Sequence, residues 1–120
     1  MKKIFLSIFL ISILLLSSCA KTVIPNSAEA EEKMKELGYS TVIKVYYGES
    51  VENLGITQMT QLDADKDGVF LQVYFFANEE DTNSFYEQRA SVLSKDVEVL
   101  KKNKYSIYRG SESAVADFLS

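Results

Sequence analysis

The apolar positions of this chain change period along its length, and each change marks an element. Ile4 to Leu16 is a 13-residue apolar run broken only by Ser7 and Ser12. From Asn26 the pattern is helical. Ala30, Met34 and Leu37 recur at i, i+4 and i+7, Gly38 supplies a stop, and Asn26 with Glu29 reads as a capping box. Glu29–Lys33 and Glu31–Lys35 are favourable i,i+4 pairs for the wet face. The period then falls to two. Tyr39 to Tyr47, rich in Thr, Val, Ile and Tyr and closed by Gly48, predicts a strand. Ser50 to Gly55 predicts a turn or one helical turn, and Ile56 to Leu62 a more polar strand nearer an edge. Val69 to Phe76 is almost wholly apolar or aromatic, the strongest strand signal in the chain. Between these two strands lies Asp63-Ala64-Asp65-Lys66-Asp67-Gly68, a hairpin signal.

A second cap follows at Asn78 and Asp81, with Glu79 and Glu80 suited to a helix N-terminus. Phe85, Arg89 and Val92 align with Tyr86, Ala90 and Leu93, predicting an amphipathic helix to about Lys95. Val97 to Leu100 predicts a short strand, Lys101 to Lys104 a turn and Tyr105 to Arg109 a further strand. Gly110 and Ser111 lead into a last helix over Glu112 to Leu119, with Val115, Phe118 and Leu119 facing inward. The order is α-β-β-β-α-(β)-β-α. Short connections favour antiparallel pairing, so the expectation is a two-layer α+β domain over residues 27–120, a sheet of four to five strands with its helices on one face.

The first apolar run belongs to targeting rather than to the fold. Lys2 and Lys3 precede it, and it falls short of the roughly 20 residues a membrane-spanning helix requires. Leu16-Ser17-Ser18-Cys19 follows directly and resembles the lipobox of bacterial lipoproteins: an apolar residue, two small residues, then Cys. The resemblance covers residues 1–20 only. It implies that residues 1–18 are a signal peptide, that Cys19 receives a diacylglycerol and becomes the mature N-terminus, and that residues 19–26 are a lipid-anchored spacer. It also implies residence at the cell membrane on the extracytoplasmic side. An ordinary secretory signal that happens to contain a Cys is the competing reading. Two or more acyl chains hold a protein stably where one does not, since each buried methylene contributes about 0.8 kcal/mol.

Composition narrows the chemistry. The chain has no His and a single Cys, which removes Ser-His, Cys-His and His-metal sites and any internal disulfide. Acylation of Cys19 would remove the only thiol. Losing Lys2 and Lys3 takes 13 basic residues to 11 against 17 acidic, a formal net charge of −6. That balance argues against nucleic acid and against electrostatic adhesion to anionic lipid. No Gly-rich phosphate loop is present, and the carboxylates fall mainly in predicted caps, turns and wet helix faces, so an enzyme is the least favoured class.

Two candidate sites stand out. Asp63, Asp65 and Asp67 before Gly68 match the first half of an EF-hand loop, which would make a weak Ca²⁺ site. The position of the closing Glu is Tyr74, however, and the flanks read as strands, so a solvated hairpin tip explains the same residues. The second candidate is an interaction face. If helices cover one side of the sheet, the other displays Lys44, Tyr46, Phe70, Gln72, Tyr74, Phe76 and Tyr108, and Tyr-rich surfaces with scattered polar groups suit protein contacts. Cross-strand packing, or a helix folded over that face, accounts for the same aromatics. Arg89, on the inward side of its helix, either holds an anion or snorkels. The function expected is non-catalytic: a tethered binding, adaptor or inhibitor domain acting on an envelope protein, with small-ligand or weak calcium binding as the alternative and no dedicated cofactor.

Overall fold

The computed structural model describes residues 26–120. The signal segment 1–18, Cys19 and the spacer up to residue 25 lie outside the described residues. Helix α1 (Ser27–Glu36) is followed by β1 (Ser40–Tyr47), a four-residue helix α2 (Glu49–Glu52), β2 (Gln58–Lys66) and β3 (Val69–Phe76). Helix α3 (Glu79–Leu93), β4 (Val99–Lys102), β5 (Ser106–Gly110) and α4 (Glu112–Leu119) complete the chain. The strands form one antiparallel sheet in the order β1-β2-β3-β5-β4. The α+β class, the antiparallel sheet and the order of elements are those the sequence predicts. No helix among the described residues is long and apolar enough to cross a membrane.

Both predicted caps form. The Asn26 carboxamide oxygen accepts from the Glu29 amide at 2.9 Å, and that of Asn78 from the Asp81 amide at 2.7 Å, each satisfying a donor that the first helical turn leaves free. The Asp81 carboxylate, itself buried, then accepts from the Thr57 amide and hydroxyl at 3.2 and 3.0 Å, fastening the segment before β2 to the start of α3.

The sheet is covered on both faces. On one, α1 and α4 bury Ala30, Met34, Val115 and Phe118 against Leu62, Leu71 and Val73. On the other, Val51 of α2 and Phe85 and Leu93 of α3 pack against Met59, Tyr74, Phe76 and Ile107. The expected two layers are therefore three. Five strands spaced about 4.8 Å apart make a sheet roughly 20 Å wide, which two helices of about 10 Å fill. The third long amphipathic helix has only the opposite face to occupy. Leu62, Leu71, Val73 and Ile107 are wholly buried, a contribution of about 1.5–3 kcal/mol each.

Three further positions differ from expectation. β2 is an interior strand and β1 the edge. The polar residues of β2 are accommodated because they bond to one another and to their neighbours across the sheet. β2 also continues to Lys66, so the hairpin closes through Asp67-Gly68 alone, both at positive φ (50° and 85°). Leu37 caps α1 and stays exposed instead of turning inward.

Candidate functional site

The aromatic face expected to lie open is mostly closed. Phe85 sits 5.3 Å, centroid to centroid, from both Tyr74 and Phe76, and these two rings are buried. Burial pushes the Tyr74 phenol upward, with the Arg109 charge opposing and Asp63 and Tyr46 reinforcing that rise. Tyr108 is not on this face at all. It pairs with Val73, so it shares Val73's side of the sheet and packs against Phe118 at 5.7 Å, where burial raises its pKa. Phe70 and Gln72 are half-buried beneath Arg109. That guanidinium lies 5.9 Å from the Phe70 ring centre, bonds the Gln72 carboxamide, and donates to the carbonyls of Leu93 (2.7 Å) and Lys95 (2.8 Å) at the end of α3. Of the predicted face, only Lys44 is exposed, and Tyr46 is half-buried beside it.

The Asp triplet does not assemble. Asp63 accepts from the carboxamides of Gln61 and Gln72 at 2.9 and 3.0 Å and pairs with Lys44 at 3.7 Å. Asp65 is exposed on β2 and Asp67 occupies the turn. Among the described residues no group of three His, Cys, Asp or Glu side chains converges on a cation position. The EF-hand-like reading fails because an extended strand holds Asp63 and Asp65, where a loop would have to curl their carboxylates around one point.

Two surface features stand out among the described residues. The first is the outer edge of β1, eight residues long and hydrogen-bonded only to β2. It carries Val42, Val45 and Tyr47 at 53%, 51% and 71% exposure, half of the six large apolar side chains the described surface exposes. The opposite edge, β4, is four residues long and ends in Lys101-Lys102, the short and charged form that discourages pairing. β1 has neither protection beyond Lys44. This edge combines the exposed β-branched and aromatic residues that make a strand signal in sequence; what the sequence does not reveal is which strand ends outermost.

The second is a groove of about 280 Å³ over β1, β2 and β3, between α2 and α3. Tyr46, Met59 and Tyr74 line it from the sheet, Phe85 and Val92 from α3, and Leu54 from beyond α2. Gln61 and Arg89 supply its polar rim. Arg89 is exposed, and no carboxylate of the described residues lies within ion-pair distance of it.

No family model matches this chain, and no curated protein or solved structure matches it either.

Proposed function

We propose that this protein is a bacterial lipoprotein, anchored through acylated Cys19 on the outer side of the cell membrane, whose domain binds an envelope protein without catalysis. The contact is a strand addition: an extended segment of the partner pairs with the outer edge of β1, its side chains meeting Val45 and Tyr47 on one face and Val42 on the other. The observation that carries this reading is the contrast between the two sheet edges, one short and lysine-guarded, the other long and apolar. Unpaired backbone groups along an edge supply affinity for an extended segment, and alternate side chains supply selectivity. A lipid tether adds to this by raising the effective concentration of the domain toward other envelope components.

The test places a photo-crosslinking residue at position 47 or at position 102 of the full chain in intact cells. A discrete adduct formed from position 47, absent from position 102 and lost when Val45→Lys guards the edge, is the expected result. Equal labelling from both edges, or adducts unaffected by Val45→Lys, refutes the assignment. Labelled palmitate incorporated by the wild type and not by Cys19→Ala tests the anchor separately.

A further inference from the structure

We infer that the groove over β1, β2 and β3 is a binding site for a small amphiphilic carboxylate, whose apolar body lies against Tyr46, Met59 and Phe85 and whose headgroup pairs with Arg89. Three observations point to this class. The groove is lined by large apolar and aromatic side chains from the sheet and both flanking helices, so water inside it has few partners. Its polar rim is partly committed: Ser50 donates to the Tyr47 carbonyl at 2.8 Å and Gln61 to Asp63 at 2.9 Å, which leaves the Arg89 fork, with the Tyr46 hydroxyl beside it, as donors to which no acceptor is assigned among the described residues. A planar guanidinium matches a carboxylate through two parallel hydrogen bonds, and Arg89 is the one charged side chain among the residues that line this groove.

Size sets the rest. At about 30 Å³ per water, a 280 Å³ groove holds the volume of roughly nine waters, which corresponds to a ligand of about ten heavy atoms. A phenyl ring or short alkyl chain ending in one carboxylate fills it. The site lies on the covered face of the sheet rather than along the β1 edge, so it stands or falls independently of the strand-addition reading.

The probe is 3-phenylpropanoate, compared with 3-phenylpropanol and 3-phenylpropylammonium, titrated into the full chain held in lipid nanodiscs. The readout is the ¹³C-methyl resonance of Met59, which a bound ring shifts by its ring current. Met34, buried on the other face of the sheet, is the internal control. The carboxylate is expected to move Met59 saturably and leave Met34 unmoved, with the alcohol and the ammonium binding more weakly. Arg89→Gln should weaken the carboxylate about fivefold, the loss of one charge-assisted pair at a partly exposed rim. Val92→Glu, at a position 52% exposed in α3, should repel it while sparing the alcohol. An unmoved Met59, equal binding of the three probes, or full affinity in Arg89→Gln overturns the proposal. Val45→Lys is expected to leave this binding intact.

Discussion

Arg109 is where the register of the sheet, the end of α3 and the aromatic face meet, and replacing it tests that geometry directly. Its Nε and Nη2 donate to the Leu93 and Lys95 carbonyls, its Nη1 to the Gln72 carboxamide, and its plane lies over Phe70. Leu93 is the last residue of α3, where carbonyls have no intrahelical donor, and Lys95 lies two residues beyond it. Hydrogen bonds to a charged group contribute about 1.5–3 kcal/mol each when dry, and these carbonyls lie near enough to water to recover part of that. Taking about 1 kcal/mol for each carbonyl and about 0.5–1 kcal/mol for the Phe70 contact, Arg109→Met should lose about 2.5–3 kcal/mol. For a domain of this size that is roughly 10–20 °C in Tm. Arg109→Lys keeps the charge but not the fork, and cannot reach both carbonyls at once, so it should lose about two-thirds as much. The assay is urea and thermal unfolding of the full chain followed by circular dichroism, with an unchanged m-value as the check that only stability moved. A loss below about 0.5 kcal/mol in Arg109→Met, or a lysine variant as stable as the wild type, refutes the bridging role.

Three other outcomes follow from single contacts. A Cβ on Gly110 would meet the Phe70 carbonyl oxygen at 2.1 Å, so Gly110→Ala should cost about 3 kcal/mol or prevent folding, and near-wild-type melting would contradict the β3–β5 register. Asp81→Ala should lose about 1–2 kcal/mol with the two bonds to Thr57, and should speed hydrogen exchange at the Thr57 amide; an unchanged exchange rate would show that the clamp is not formed in solution. The Tyr39 phenol, which donates to Asp117 at 2.7 Å, is pushed up to about 12 by burial first, then by that hydrogen bond and the charge of Asp117. The unfolded tyrosine titrates near 10, so this group's stabilisation is complete below about pH 10 and is lost as pH rises from 10 toward 12. Tyr39→Phe should flatten that alkaline limb, leaving the smaller slope from Tyr74 and Tyr108, and an unaltered limb would count against the contact.

Much of the fold is legible because local signals and long-range packing agree. Asn26 and Asn78 sit where a cap is needed, and the apolar residues of β3 alternate between two buried faces, which is why that segment reads as almost continuous hydrophobicity. The layering is harder to read because periodicity tells which residues a helix buries but not the face that receives them. Counting helices against sheet width would have indicated that α3 needed the second face, and with it that Tyr74 and Phe76 would be covered. The side taken by Tyr108 is hard to read for a different reason. Alternation within β5 is plain, but its parity relative to β3 depends on Gly110 facing Leu71, a pairing that no local signal in the strand specifies. Asp63 looked like a ligand because sequence shows charge without partners, and its partners, Gln72 and Lys44, come from the two neighbouring strands.

An open apolar edge invites a second copy of the same chain, and the charge of this protein bears on which occupant prevails. Antiparallel self-pairing of β1 about a two-fold axis must keep each side chain on its own face, so residues of equal parity meet. One such register sets Lys44 against its own copy, and the remaining ones bring together two domains of the same negative sign. On the proposed Cys19 anchor, copies confined to one membrane face would meet often, and long-range repulsion is then what would keep the edge free for the proposed partner. Salt weakens this: the Debye length falls from about 10 Å at 0.1 M to about 3 Å at 1 M. The dimer fraction measured by analytical ultracentrifugation in nanodiscs should accordingly rise across that range, and Val45→Lys should suppress the rise. A dimer already complete at 0.1 M and indifferent to salt would make the β1 edge a homodimer seam, and the strand-addition reading would then have its occupant wrong.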